Sequence, residues 1–404
     1  MTIPTLVRCA IAVASLPFLA SAQLYVDFGF VPATITFTSQ ADQPVAAPQN
    51  LIILTGTVPF VWDGAFFGIN FVTLSPASGV GNTTLKVALN PNIVPYLAPG
   101  QYSLSLSFES PDPTQPGDGA VTVTLYVLPP DAPVITGVVN SASQQPVLSE
   151  GELVSIYGSN LGTGPLAPAG SYSVLQGNAT ATFSRQPLSF EPLSNAYGGH
   201  GGTATGNATT VTFNQLPAPL LYVSPNQINA VVPYFAQPGD ASGNVPVVVT
   251  HDGQASPPFL VPIAATSPGL FTVAPNGRGQ GAIQNVDPQT GAVTPNSPSN
   301  PAAKGSTIVL WGTGNGGFSQ IPPDGVIITD VLTPPYYVVT RAISLTIGGQ
   351  PAKILYAGAA PNQVFGLLQV NAVVPSGIGS GPQPVVLTIT GSDNSQQAVT
   401  VAVQ

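Results

Sequence analysis

The side chains that could do chemistry are few, and they are spread thinly along the 404 residues. A serine hydrolase needs a base, and the chain offers His200 and His251. His200 lies in Gly-Gly-His-Gly-Gly, a run too pliant to hold a proton relay. His251 lies in Thr-His-Asp-Gly, where Asp252-Gly253 has the composition of a hairpin turn. No Gly-x-Ser-x-Gly elbow is present. Paired carboxylates could serve a glycosidase. Glu150 and Glu152 flank a turn glycine, however, and are expected to face water, while Glu109 and Glu191 stand in loop-like Pro settings. For a metal, calcium fits best, with Asn285 and Asp287 as oxygen donors. Asp287-Pro-Gln-Thr-Gly291 is first of all a turn sequence. The Gly-rich runs Gly277 to Gly281 and Gly312 to Gly317 lack the Lys-Ser/Thr of a phosphate loop and lead into no helix. The expectation is a protein without catalytic residues and without a bound cofactor.

Sugar recognition asks for other residues: aromatic faces to stack on the ring and amides to bond its hydroxyls. Trp62, Phe66, Phe67, Tyr336 and Tyr337 are the candidates, with Tyr172 beside them. Trp311 reads as core, because its counterpart in an internal repeat is Tyr157, inside a strand.

These residues must be held by β-structure. Apolar runs of four to eight residues, rich in Val, Ile, Thr, Tyr and Phe, recur between clusters of Gly, Pro, Asn and Ser. Pro (45) and Gly (43) interrupt every stretch before a helical period develops. Serines alternate with Leu104, Leu106 and Phe108, as in a strand with one wet face. The chain reads as all-β.

Charged residues make up only 6% of the chain, and the net charge of −9 disfavours nucleic acid and anionic lipid. Neutral polysaccharide and other proteins remain as partners. Residues 1–22 have the plan of a secretory signal peptide: Arg8, an apolar core from Cys9 to Leu19, then Ala20-Ser21-Ala22. Cys9 is the single cysteine, so a processed chain would have neither disulfides nor thiolate metal sites. The expected location is therefore secreted or at the cell surface, with no membrane span in the processed chain.

One stretch occurs twice, as Pro225-Asn-Gln-Ile-Asn-Ala-Val-Val-Pro233 and as Gln369-Val-Asn-Ala-Val-Val-Pro375. Two further blocks align around it. Gly151 to Gly162 matches Gly305 to Gly316, and Val211 to Tyr222 matches Leu345 to Tyr356 without a gap. Order is kept while the intervening lengths vary, as when insertions fall in surface loops. In the repeated strand Ile228, Ala230 and Val232 share one face, and Gln227 and Asn229 the other. Gln227, Asn229 and Pro233, with Gln369, Asn371 and Pro375, are read as residues that define the module, the amides fixing the strand to neighbouring backbone and the prolines ending it. The second copy carries extra segments at Gly314 to Pro335 and Ala359 to Leu368, the first at Asn195 to Asn207.

Two resemblances follow. Ile135 to Ser143, Gly151 to Gly162, Ser224 to Asn229, Ser267 to Phe271, Gly279 to Ala282 and Asn296 to Pro301 resemble the Solibacter-type uncharacterised C-terminal domain family, with tandem IPT/TIG-like immunoglobulin-like repeats. Trp62, Leu74-Ser-Pro-Ala-Ser-Gly79, Gly100 to Ser103 and the strand ending at Val127 resemble a BACON-like immunoglobulin-like domain, a type proposed to bind carbohydrate or to act as a spacer. After the signal-like segment 1–22, they imply a BACON-like domain at 23–130 and IPT/TIG-like β-sandwiches at 133–265 and 266–404, joined at the Pro-rich 128–133. The expected function is that of an exported non-catalytic binding or structural protein that contacts polysaccharide at the cell surface. The alternative is a pure spacer or assembly module mating through strand edges. A distant third is a hydrolase with its site in the loop insertions.

Overall fold

The computed structural model describes residues 25–40, 45–62, 69–163, 209–236, 238, 243–328, 337–390, 396 and 398–404, with the backbone of four short strands between 175 and 204. The chain is all-β. Among the described residues the one helical element is a 3-10 turn, Val94–Tyr96, and no helix is long and apolar enough to cross a membrane. The chain divides into two compact units, Met1–Pro130 and Asp131–Gln404.

In the first unit a six-stranded sheet is built around Gly117–Leu128, which pairs antiparallel with Gly100–Glu109 and parallel with Thr34–Gln40. A four-stranded sheet, centred on Gln49–Leu54 and Thr83–Leu89, faces it. Alternation sets the core: Leu104, Leu106 and Phe108 are buried while Ser103 and Ser105 are exposed. Phe37, Phe60, Phe71 and Phe108 fill the space between the sheets, where such rings bury the most apolar area per residue.

The second unit holds two β-sandwich repeats. In the first repeat, Val134–Asn140, Leu153–Ser159, Gln227–Val231 and Leu220–Val223 form one antiparallel sheet. Thr209–Phe213 and Asn244–His251 centre the other. In the second repeat, Ile283–Val286, Thr307–Thr313, Leu368–Val373 and Ile354–Ala359 repeat the first sheet, and Ile343–Ile347, Gly381–Ile389 and Val399–Val403 the second. The duplication holds to the register. Tyr157 lies opposite Gln227, and Trp311 opposite Gln369. Even the irregularity recurs: the edge strand shifts register between Leu220 and Tyr222, and again between Ile354 and Tyr356. Such a bulge puts two residues against one on the partner strand and turns the edge.

At the end of each motif strand the pattern is again shared. The amide of Val232 donates to the Glu152 carbonyl and that of Gly151 to the Val232 carbonyl, as Val374 does to Ser306 and Gly305 to Val374. Pro233 and Pro375 follow, without an amide to continue the ladder.

Candidate functional site

The repeated amides meet each other. Gln227 Nε2 donates to Asn229 Oδ1 at 2.8 Å, and Gln369 Nε2 to Asn371 Oδ1 at 2.9 Å. The sequence reading had them bonding neighbouring backbone; the structure gives side-chain pairs two residues apart on one face of a strand, which is the period of a pleated strand. Both pairs lie half-buried on the outer face, away from the sandwich core. Trp311 and Tyr157 share that face. The expectation that Trp311 is core is corrected by its register opposite Gln369. It is half-buried there, with Nε1 donating to Gln284 Oε1 at 3.2 Å. Tyr157 donates its hydroxyl to Gln144 Oε1 at 3.3 Å.

The densest constellation is the junction between the two repeats. Leu153 and Val231, on the outer face of the first repeat, pack with Ala360, Val364 and Leu367 of the second, and Leu221, Phe271 and Trp311 close over them. Tyr234, one residue past Pro233, enters the core of the second repeat. There Phe365 has ring centroids of Tyr234 at 5.9 Å, Phe318 at 4.8 Å and Tyr337 at 5.7 Å, distances at which tilted and edge-on aromatic pairs attract. The segments Gly314 to Pro335 and Ala359 to Leu368, which the sequence marks as insertions, supply Phe318, Val364 and Phe365. These three side chains build into the junction.

Polar groups cross the same boundary. The Leu153 amide donates to Thr313 Oγ1 at 2.9 Å, and that hydroxyl donates to the Gly366 carbonyl at 2.8 Å. The Tyr234 amide donates to Asp324 Oδ1 at 3.1 Å. Asn140 Nδ2 donates to the Ser267 carbonyl at 2.9 Å. Several close approaches here need glycine. At Gly314 (φ +84°) a Cβ would lie 2.1 Å from the Ser267 carbonyl oxygen, and at Gly151 (φ +73°) 2.3 Å from the Tyr234 ring.

Glu152 lies at the centre of this. The sequence reading placed it in water beside Glu150; it is 1% exposed. Its Oε2 accepts from Ser149 Oγ at 2.9 Å, from Asn140 Nδ2 at 3.3 Å and from the Ser267 hydroxyl. Its Oε1 is buried without a partner. Burial pushes the carboxyl up to about 8, against the opposing pull of those donors, so the desolvation cost of the charge outweighs the hydrogen bonds. Burial, then the Asp324 and Glu150 carboxylates, push the Tyr234 phenol well above its ordinary range. A groove of about 530 Å³ runs beside the junction, lined among others by Glu150, Tyr234, Pro238, Ile263, Ile321 and Arg341.

The other candidates stand apart. His251 is buried, its Nδ1 2.8 Å from Thr209 Oγ1, and the hairpin turn follows it at Asp252 (φ +48°) and Gly253 (φ +76°). Asp287 accepts the amides of Gln289 and Thr290, each at 2.8 Å, and these backbone bonds hold its carboxyl below the usual range. Asn285 Oδ1 is taken by Asn296 Nδ2 at 2.9 Å. Among the described residues no three His, Cys, Asp or Glu side chains gather as a metal site would require. Trp62 is half-buried against the core of the first unit, and Tyr337 is half-buried against that of the second repeat. Phe66, Phe67, Tyr336, Tyr172, His200, the side chain of Glu191 and the signal-like segment 1–22 lie outside the described residues. Glu152 and Tyr234 were missed as site residues, although a signal for them exists: their counterparts in the second repeat are Ser306 and Ser376, which changes chemistry where the frame does not.

Residues 133–262 match the IPT/TIG domain family model, so this segment is an immunoglobulin-like repeat, a type that suggests a non-catalytic binding or structural module. No curated protein matches the chain. Among solved structures it is similar to a protein of unknown function from Porphyromonas gingivalis W83, at 13% identity over 57% of this chain and 99% of that one, TM-score 0.22. The E. coli chaperone DraB is similar at 9% identity over 58% and 98%, TM-score 0.20. An endo-fucoidan hydrolase of glycoside hydrolase family 107 is similar at 13% identity over 92% of this chain and 43% of that one, TM-score 0.17. At such scores none of the three carries a function across.

Proposed function

We propose that the chain is an exported, non-catalytic binding or structural protein whose second unit acts as one stiff two-repeat body, presenting uncharged faces to polysaccharide or to other proteins at the cell surface. The observation that carries this reading is the junction. The second repeat's insertions, where a hydrolase would elaborate a cleft, instead wrap Tyr234 and cover Leu153 and Val231 of the first repeat. A shared core resists bending because parting the repeats would expose apolar surface at about 25 cal/mol per Å². Export rests on the leader-like plan of residues 1–22. The assignments to a Solibacter-type C-terminal family and to a BACON-like first domain belong to this proposal and rest on their sequence motifs. A neutral partner agrees with a chain in which charged residues are 6%, and Trp62, Phe66, Phe67, Tyr336 and Tyr337 are the proposed sugar contacts.

The test is depletion of the full chain from solution by insoluble neutral polysaccharides. Retention reversed by the free oligosaccharide supports the binding arm. If nothing is retained, the structural arm stands alone. The same junction favours a spacer or assembly role as the second reading, which light scattering addresses: concentration-dependent self-association supports assembly, and a monomer at high concentration leaves a spacer.

A further inference from the structure

The carboxyl of Glu152 has no part in the contacts proposed above. It stands where the turn Ser149 to Glu152 of the first repeat meets Ser267, at the entry to the second. Three donors from three segments converge on one of its oxygens, and the Asn140 side chain ties the cluster further. Its Nδ2 also bonds the Ser267 carbonyl, and its Oδ1 accepts the Ala142 and Ser143 amides, each at 2.9 Å. The next residue, Leu153, carries the amide that crosses to Thr313. One side chain is thus fastened to both repeats, next to the apolar seal.

Among the described residues no countercharge faces it. The strand Val134–Asn140 and the turn after it present Asn140 and Ser143; the segment 266–269 presents Thr266 and Ser267; the end of the strand Thr307–Thr313 and its continuation present Thr313 and Asn315. On the adjoining turns the ionisable groups are Glu150, Tyr234 and Asp324, all acidic, and Arg341 is exposed on the wall of the groove it shares with Glu150. A carboxylate at position 152 would be buried without a cation, with Oε1 lacking any donor, an arrangement that is costly in a low-dielectric interior.

We propose that Glu152 is a proton-operated latch between the two repeats. As the neutral acid it completes the polar cluster and the junction is rigid. As the carboxylate it draws water in, and the junction opens around 149–153 and 265–269, so that the two repeats move as separate bodies. The sign follows from a folded value of about 8 above the free value of 4.5. The latch is fully closed below the free value, weakens as pH rises between the two, and is open above about 8.

Hydrogen exchange of the full chain at pH 6 and pH 9, corrected for the intrinsic base-catalysed rate, tests this. Protection at 149–155 and 265–270 is expected to fall at least tenfold at the higher pH, while Leu104 to Phe108 in the first unit keeps its own. In Glu152→Gln the fall at the junction should vanish. Unchanged junction protection in the native chain, or an equal fall in Glu152→Gln, overturns the proposal. Should that variant fail to fold, carbon-13 titration of the native Glu152 carboxyl decides instead: a midpoint between 7 and 9 supports the latch, and one near 4.5 overturns it.

Discussion

The two repeats of the second unit share one frame and end it differently. Each closes its motif strand with the same backbone bonds around a left-handed glycine, Gly151 at φ +73° and Gly305 at φ +80°. In the first repeat the neighbours are Glu152, Leu153, Val231 and Tyr234, all buried. In the second they are Ser306, Thr307, Val373 and Ser376, none of them fully buried. The backbone was duplicated intact, and the side chains at one end were altered to receive a partner. A repeat becomes half of a larger body by changing the residues at one strand end and lengthening two loops in its neighbour.

The largest effect that could break this comparison should come from Phe365, which three other rings surround. Phe365→Ala is expected to cost about 3–5 kcal/mol and to separate the unfolding of the two repeats. Phe213→Ala, inside the first sandwich alone, should cost a similar amount without separating them. Denaturant unfolding followed by exchange at each repeat distinguishes these outcomes.

Next comes the glycine pair. Gly305→Ala meets open space and should cost only the left-handed strain, roughly 1–2 kcal/mol. Gly151→Ala adds a Cβ 2.3 Å from the Tyr234 ring, for a total of about 3–4 kcal/mol. Equal losses in thermal or denaturant midpoints would mean that the two strand ends are not different environments.

A smaller effect is expected at Thr313, whose hydroxyl both accepts from Leu153 and donates to Gly366. Thr313→Val leaves both groups unpaired in a buried site, about 1–3 kcal/mol, and should lower protection at Leu153 first. The smallest belongs to the amide pairs. Gln227→Ala and Gln369→Ala each remove one half-buried hydrogen bond, on the order of 1 kcal/mol or less, and by the same amount in both repeats. A loss confined to one copy would show that its pair does something the other does not.

Much of the frame was legible. Alternation gave the wet and dry faces of the strand Gly100–Glu109, and the repeated Gln-Ile/Val-Asn-Ala-Val-Val-Pro located equivalent strands down to the residue. The face of Trp311 is not legible, because an indole in a strand suits either side and register alone decides which one it takes. Glu152 was placed in water, since a carboxylate beside a turn glycine is ordinarily solvated and no local pattern reveals what packs over it from more than a hundred residues away. By length and Gly content alone the insertions resemble loops apart from the frame. Their hydrophobic content, Phe318, Val364, Phe365 and Leu367, was the sign that they cover something.

The most direct test of a shared body is native-state hydrogen exchange of the full chain at pH 6, where the junction is closed, in rising denaturant. The amides of Ile156 and Leu310, in the matching strands of the two repeats, should merge into one opening isotherm with the same free energy and slope. Two isotherms of different slope, with one repeat opening while the other stays protected, would contradict the account.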